Sequence, residues 1–450
     1  MSTKNTNVSS LDRYFRLSEN KTDVKTEIIA GITTFITMAY ILFVNPDVLS
    51  QAGMDYNAVF LATCLSGAIG TLIMGLYANI PFAQAPGMGL NAFFTYGVVM
   101  GLGYTWQQAL AAIFISGLLF ILLTITGARE AIIEAIPTSL KHAISGGIGL
   151  FIALLGFTNA GIIVADPNTF LAFSRFNTAP VILAVIGLVI TGILMVKGVK
   201  GAILIGIVAT TLIGIPMGVT NTTINASFNF DLSPTFMQMD FAGLLKIGEA
   251  GLVGAIASVA TVVISFSLVD MFDTIGTLIG TATKAGMLDE EGKLPNMNKA
   301  LLADAVATTA GAVLGTSTVT TFVESAAGVA EGGKTGLTAV TTGTLFLFSV
   351  FLAPLAGIVP AQATAPALII VGVLMMGAVK QVNFDDFSEA LPAFFTIAIM
   401  PFTYSIANGI AAGLIFYPIM KIATGKSKEV HPTVYILAIL FILRFTILPH

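Results

Sequence analysis

The feature that most limits what this chain can fold into is a near-continuous series of apolar runs from Ile28 to Leu448, broken only by short Gly, Pro, Asn or charged gaps. Runs of about 20 apolar residues are long enough to cross a bilayer as helices, and a helix satisfies its own backbone hydrogen bonds where no water can. Allowing about 10 residues for each connection, the length accommodates about 14 spans. The runs lie near 28–45, 57–77, 86–102, 107–127, 140–163, 179–197, 200–217, 251–283, 299–315, 319–331, 335–353, 363–380, 385–401 and 403–424. The expected fold class is an all-α polytopic membrane protein of 14 transmembrane segments. Charged residues agree, at 10% of the chain against roughly 25% in a soluble domain.

Charge and rare residues exclude several other classes. The net charge of -4 offers no basic surface for nucleic acid. Cys64 is the one cysteine, so neither a disulfide framework nor a Cys-rich metal site is available. His142, His431 and His450 are scattered and form no HExxH pattern, so neither a metal nor another cofactor is expected. Polar residues fill 2–26, which does not resemble a cleaved signal, and the first apolar run is expected to be retained. With a cytoplasmic N-terminus, only Arg175 and Lys246 of the 20 Lys and Arg residues fall outside, apart from Arg444 in the C-terminal segment. The positive-inside rule supports that orientation in a plasma membrane. The apolar stretch 431–447 carries Arg444 and reads as an interfacial or peripheral helix. The Asn-, Thr- and Ser-rich stretch 217–246 reads as an external loop, and 284–299, with Asp289, Glu290 and Glu291, as a solvated cytoplasmic hairpin.

Seven runs precede the long external loop and seven follow it, so equivalent runs point in opposite directions across the membrane, the topology of two inverted seven-helix repeats. A short Gly-interrupted segment followed by a full apolar run occurs in 87–127 and again in 319–357, and an offset of 233 residues matches Asn91 with Glu324. Both short segments, the third and tenth spans, look broken. In Gln84-Ala-Pro-Gly-Met-Gly-Leu-Asn91 a proline and two glycines oppose a continuous helix, with Asn91 expected to cap the helix that follows. Thr316-Ser-Thr-Val-Thr-Thr-Phe-Val-Glu-Ser325 is β-branched and hydroxylic and favours extended chain. Non-helical backbone at membrane depth survives only where protein buries it or it lines a cavity. Paired breaks therefore point to one midplane site, faced by the N–H ends of two half-helices. A lone Gly87-Met88-Gly89, by contrast, suits close helix packing.

The strongest chemical signal is Ser265-Phe-Ser-Leu-Val-Asp270-Met-Phe-Asp273-Thr-Ile-Gly-Thr277, which puts Ser267, Asp270, Asp273, Thr274 and Thr277 on one helical stripe. A mid-bilayer carboxylate costs about 2.5 to 3.5 kcal/mol even on the lenient scale, so it must face protein or water. Two acids within one turn repel each other, so one of them is expected to have a raised pKa and to exchange protons near neutrality. Glu324 sits where the extended stretch meets its half-helix, either as a ligand or as a helix cap. Asp304 reads equally as a near-cytoplasmic residue close to Lys299 and as a functional one. Thr33, Thr34, Thr37 and Tyr40 line the first run with hydroxyls, although membrane threonines commonly bond their own backbone.

Four motifs carry a resemblance: Ile32-Thr-Thr-Phe-Ile-Thr-Met-Ala-Tyr-Ile-Leu-Phe-Val-Asn-Pro46, Ala85-Pro-Gly-Met-Gly-Leu-Asn-Ala-Phe-Phe94, Val269-Asp-Met-Phe-Asp-Thr-Ile-Gly-Thr277 and Gly315-Thr-Ser-Thr-Val-Thr-Thr-Phe-Val-Glu-Ser-Ala-Ala-Gly328. Together they resemble the AzgA-type purine permeases of the nucleobase:cation symporter family, from Tyr14 to about Gly425. The resemblance implies a core domain, 28–127 with 251–353, and a gate domain, 128–217 with 354–425. Outside these lie an N-terminal cytoplasmic segment 1–27, the external loop 218–250 and a C-terminal segment 426–450. It further implies that Gly89, Asn91, Asp270, Asp273 and Glu324 serve substrate and coupling.

The expected activity is import of a purine nucleobase by alternating access, with a proton the favoured co-transported cation. Guanine and hypoxanthine are favoured and adenine is within range. The lipid bilayer is the other partner, and a homodimer is left open. One carboxylate accepts two parallel bonds from the N–H and amine edge of guanine, a role expected of Glu324 or Asp270, with Asn91 and backbone N–H groups meeting the carbonyl or ring nitrogens. Thr33 and Phe322 complete the expected substrate contacts; Phe35, Phe93 and Phe94 are further candidates to cover the ring. Asp273, with Asp270 as alternative, is expected to carry the proton. The rival readings are an anion carrier or channel of similar architecture, disfavoured by the acids, and an intramembrane aspartyl protease, disfavoured because both Asp lie on one helix without YD or GxGD contexts.

Overall fold

The computed structural model describes residues 10–127, 135–222, 230–245, 251–285, 287–288 and 294–447. Asp289, Glu290 and Glu291 of the expected hairpin, together with Arg129 and Lys246, lie outside the described residues. The chain is a mostly helical membrane protein. Among the described residues, 8 helices are long and apolar enough to cross a bilayer by themselves.

The first half contains α1 (Val24–Met38), α2 (Ile41–Ser50), α3 (Tyr56–Ile73), strand β1 (Gln84–Pro86), α4 (Met88–Ala92), α5 (Trp106–Ile125), α6 (Thr138–Asn159), strands β2 (Ile163–Asp166) and β3 (Phe170–Phe173), α7 (Ala179–Val196) and α8 (Ala202–Gly214). The second half contains α9 (Gly251–Ala285), α10 (Met297–Leu314), strand β4 (Val319–Thr321), α11 (Ser325–Ala330), α12 (Gly336–Phe348), α13 (Ala361–Met376), α14 (Phe387–Phe402), α15 (Ile406–Ala423) and α16 (Pro432–Ile447). Polar residues in the gaps start these helices. Asp55 accepts the Ala58 N–H at 2.8 Å to cap α3, and Thr105 with Gln108 forms a capping box on α5.

Two local features depart from the sequence reading. The first run is two helices rather than one, broken at Ala39-Tyr40. Just before the break, the Thr37 hydroxyl takes the carbonyls of Thr33 at 3.0 Å and Thr34 at 2.8 Å, a competition with the helix ladder that bends helices. The second is an unanticipated hairpin, β2 with β3, closed by Asp166, whose Oδ1 accepts the N–H groups of Asn168 at 2.8 Å and Thr169 at 2.9 Å. Those N–H groups hold the Asp166 carboxyl below the usual carboxylate range. Four-residue strands with mostly exposed side chains leave no periodic apolar signal to read.

Both expected breaks are present, and they pair with each other. β1 runs antiparallel to β4, with Gln84 opposite Thr321, Ala85 opposite Thr320 and Pro86 opposite Val319. The Gly87 N–H extends the ladder to the Thr318 carbonyl at 3.0 Å and the Phe322 N–H to Ala83 at 2.9 Å. Side chains finish the accounting: Thr71 bonds both the N–H and the carbonyl of Gln84, and Thr308 takes the Val319 carbonyl.

Small residues let the surrounding helices close on this pair. A Cβ at Gly70 would meet Ala307 at 2.7 Å and the Gln84 side chain at 2.8 Å, and one at Gly311 would meet Val319 at 2.9 Å. Helices α3, α9 and α10 pack against the paired strands, α5 packs on α9 and α10, and α12 packs on α3 and α1, while α6, α7, α8, α13, α14 and α15 pack mainly on one another. The α6–α13 contact is backbone on backbone, since a Cβ at Gly149 would lie 2.7 Å from the Gly372 carbonyl.

Gly336, at the start of α12, faces the Gly75 carbonyl, which a Cβ would approach to 2.0 Å. Gly336→Ala is therefore expected to destabilise the protein by about 1–3 kcal/mol through forced backbone movement. Gly192→Ala on α7, where a Cβ meets nothing within 4 Å, should leave the thermal midpoint in detergent unchanged or slightly raised. Equal melting of the two variants would contradict this packing.

Candidate functional site

The two half-helices begin at the ends of the paired strands. Gly87, with extended backbone, is the N-cap of α4, so the cap lies four residues before Asn91, the residue expected to hold it. The chain turns helical as soon as it leaves β1, because Gly87 allows close approach: a Cβ there would meet Thr320 Cγ2 at 2.4 Å and lie 3.5 Å from Asp273 Oδ2. Asn91 is fully buried in the first turn of α4. Its N–H bonds the Gly87 carbonyl at 2.8 Å, its Oδ1 accepts the Ser317 hydroxyl, and its Nδ2 lies 3.8 Å from Met88 Sδ. Gly89 packs against α6, where a Cβ would meet Ile148 at 2.7 Å.

Glu324 occupies the N-cap position of α11, yet its side chain makes no cap bond. The carboxylate turns away, and its Oε1 accepts the Tyr40 hydroxyl at 2.7 Å. Neighbouring Ser325 instead bonds the Ala83 N–H at 3.0 Å, which ties α11 back to β1. Tyr40 stands at the break between α1 and α2 and is 1% exposed. The break thus aims its ring across the protein at Glu324.

The acids of α9 complete the arrangement. Asp270 is fully buried and Asp273 half-buried. The Thr274 hydroxyl lies 3.4 Å from Asp270 Oδ1, 2.7 Å from Asp304 Oδ1 and 2.7 Å from Thr320 Oγ1. Asp273 feels the charges of Asp304 and Glu324, and Tyr40 those of Glu324 and Asp273. Asp270, Asp273, Asp304, Glu324, Tyr40 and Asn91 thus gather around one strand pair. Ser267 of the same polar stripe turns to α5, where it bonds Ser116 at 2.7 Å.

Other expected residues lie at different depths of the packing. Phe322 is buried 6.5 Å from the Tyr40 ring, centre to centre, and so borders the acids. Phe93 stacks edge-on against Phe266 at 4.8 Å, and Phe35 against Phe346 at 5.3 Å; Phe94 is fully buried. Thr33 is 9% exposed and offers its carbonyl to Thr37.

Tyr40 and Asp304 join the cluster although the sequence left both undecided. The signal for Asp304 was the one that exposed Asp270, a carboxylate inside an apolar run. Its nearness in sequence to Lys299 obscured it, although the seven residues from Met297 carry it about 10 Å along α10. Among the described residues no group of three His, Cys, Asp or Glu is arranged to hold a metal. Chemically, the arrangement offers carboxylate acceptors and hydroxyls that either donate or accept, which suits a polar ligand presenting N–H groups.

Residues 25–433 match the Permease family (Xan_ur_permease), and the chain belongs to it. It is 51% identical over 439 residues to a putative permease of Methanocaldococcus jannaschii, covering 97% of this chain and 98% of that one. It is 47% identical to the adenine permease AdeP of Escherichia coli, over 96% of this chain and 95% of the relative. The guanine/hypoxanthine permease PbuO of Bacillus subtilis is also 47% identical, over 96% and 100% respectively. The resemblance read from the four motifs is therefore borne out. The protein is a multi-pass membrane permease and not an enzyme. Among solved structures, the transmembrane domain of the cyanobacterial bicarbonate transporter BicA superposes with a TM-score of 0.63 at 14% identity, covering 87% of this chain and 97% of that one, which places this protein in that transporter fold.

The Tyr40–Glu324 bond is open to a double-mutant cycle. Tyr40→Phe and Glu324→Gln are each expected to lower thermal stability in detergent. Their combined effect should fall short of the sum by about 1 kcal/mol or more, as for a bond to a charged acceptor. Strict additivity would show that the pair is not coupled.

Proposed function

We propose that this member of the Permease family is a secondary active transporter that imports purine nucleobases by proton symport. Guanine and hypoxanthine are the favoured substrates, with adenine within range. The reading rests on one observation above the others: two broken segments meet at a cluster of buried Asn91 and Asp270 with half-buried Asp273 and Glu324. Relatives named as adenine and as guanine/hypoxanthine permeases over nearly the whole chain support the purine class.

The local chemistry suits a purine edge. Tyr40 engages one lone pair of Glu324 Oε1, and a carboxylate retains further acceptor sites for a ring N–H and an exocyclic amine. The Asn91 Oδ1 is committed to Ser317, so its amide presents N–H to a carbonyl or ring nitrogen. Phe322 borders the same space, and Thr33, 9% exposed on α1, and Gly89, packed toward Ile148, are kept as further substrate contacts. Asp273 is assigned the coupling proton, with Asp270 second.

The fold is proposed as two inverted seven-helix repeats. The core unit takes α1–α5 with α9–α12, and the gate unit α6–α8 with α13–α15; the separate packing of these groups supports the division. Rocking of one unit against the other then exposes the midplane site to each side in turn. The N-terminus is assigned to the cytoplasmic side of the plasma membrane on the Lys and Arg distribution. Four acids around the site disfavour an anion as cargo, although a bicarbonate transporter shares the frame.

Uptake of radiolabelled guanine, hypoxanthine and adenine into proteoliposomes, with and without an imposed pH gradient, tests the reading. Glu324→Gln should insert normally yet lose high-affinity uptake, because an amide presents N–H where lone pairs are needed. Undiminished uptake by that variant would remove Glu324 from the site. Asp273→Asn should retain substrate exchange between loaded vesicles and medium and lose accumulation driven by the pH gradient. Surviving accumulation would move the coupling role to another acid, and accumulation on sodium alone would remove the proton.

A further inference from the structure

We infer that Asp304 is a positioning residue for the transport site, acting through the Thr274 hydroxyl on strand β4. The inference rests on the purine-transport reading above and adds a residue that does not itself meet the substrate.

Three side chains from three elements meet here: Asp304 on α10 and Thr274 on α9, both fully buried, and Thr320 on β4, 1% exposed. Thr274 Oγ1 stands 2.7 Å from Asp304 Oδ1 and 2.7 Å from Thr320 Oγ1. A threonine hydroxyl has one proton to give. Thr274 donates to Asp304, and with its proton so spent it accepts from Thr320. The hydrogen bonds then run from Thr320 to Thr274 to Asp304. The contact with Asp270, at 3.4 Å, is too long to compete for that proton.

What this chain holds in place is the relation between the two halves of the site. Thr320 lies opposite Ala85 in the β1–β4 register, and its methyl group fills the space beside Gly87, the cap of α4. Asp270 and Asp273 are carried by α9, whereas Asn91 and Glu324 are carried by the segments that leave β1 and β4. The Thr274–Thr320 bond is a direct side-chain link between these sets. It sets how far the α9 acids stand from Gly87, where an added Cβ would lie 3.5 Å from Asp273 Oδ2. Without an acceptor at Asp304 the Thr274 proton turns elsewhere, Thr320 loses its fixed partner and the two sets are free to shift. A shift of about 1 Å in such a site is felt strongly in binding and turnover.

The experiment uses the full chain in proteoliposomes and measures initial rates of radiolabelled guanine, hypoxanthine and adenine uptake against concentration, normalised to inserted protein. Thr274→Val, which keeps shape and removes the hydroxyl, should raise KM at least tenfold while Vmax per molecule stays within threefold. Asp304→Ala should do the same. Thr274→Ser and Asp304→Asn, which restore a hydroxyl and an uncharged acceptor respectively, should bring KM back to within threefold of wild type. Should Asp304→Ala fail to insert, the Thr274→Val and Thr274→Ser pair decides alone. Unchanged KM in Thr274→Val, or loss of inserted protein without a KM effect, overturns the positioning role. Failure of Asp304→Asn to rescue overturns it as well, since the charge rather than the bond would then matter. Wild-type protein that takes up no purine overturns the transport reading and this one together, whereas normal wild-type uptake with indifferent variants overturns this one alone.

Discussion

Extended backbone inside an apolar protein has no water to bond, and here two such segments, far apart in the chain, answer one another. β1 and β4 exchange their ladder bonds, and Thr71, Thr308 and Ser325 take up most of what the short ladder leaves. Neither segment has an acceptable conformation without the other, because each unpaired buried N–H or carbonyl costs about 1–3 kcal/mol. The pairing therefore fixes the centre of the molecule, and the helices are arranged around it. Gly70 and Gly311 are explained by it, as side chains at those positions would push α3 and α10 off the strands.

The same pairing decides where charge can be held. A strand that stops inside the protein hands its chain to a helix whose first N–H groups have no partner in the helix, and two such starts flank the strand pair here. The neighbouring groups are hydroxyls, at Tyr40, Thr274, Ser317 and Thr320, rather than lysines or arginines. A hydroxyl can donate to a carboxylate or accept from a carboxylic acid, so such a network adjusts to a change of protonation without leaving an ion unmatched. A fixed cation would hold the acids permanently ionised.

Around this centre the helices fall into two packed groups that touch at few places. Within the second group contact is close enough for backbone to meet backbone, as at Gly149 and Gly372. Between the groups the contacts include side-chain hydrogen bonds, an ion pair and single knobs: Thr364 donates to Asp47 at 2.8 Å, Tyr96 joins Gln51 and Asn159, Lys200 pairs with Glu331, and Ile148 meets Gly89. Dense packing within a group resists deformation, whereas contacts of this second kind can be exchanged as units move. The packing is thus dense within each group and sparser between them.

Much of this was legible in the amino-acid order because hydrocarbon solvation acts on each residue separately. A run of Leu, Ile, Val and Phe favours the bilayer wherever its neighbours fold, so membrane class and the positions of the apolar runs followed from the sequence. So did the two breaks, since Pro86, Gly87 and the Thr-rich stretch before Glu324 oppose a helix locally, and so did the anomaly of Asp270 and Asp273 in an apolar run. The turn in the first run and the β2–β3 hairpin were not legible, as the one depends on how Thr37 spends its hydroxyl bond and the other on strands with little buried surface. Only the tertiary structure decided which acid meets which hydroxyl: that Glu324 turns from its helix end to Tyr40, that Asp304 stands with Thr274, and that Gly87 rather than Asn91 caps α4. Those choices follow from the β1–β4 register and from the rotation of α9 and α10 about their axes. Register and rotation are set by contacts between residues distant in the chain, from 30 positions between Thr274 and Asp304 to 237 between Gln84 and Thr321, which no local pattern encodes.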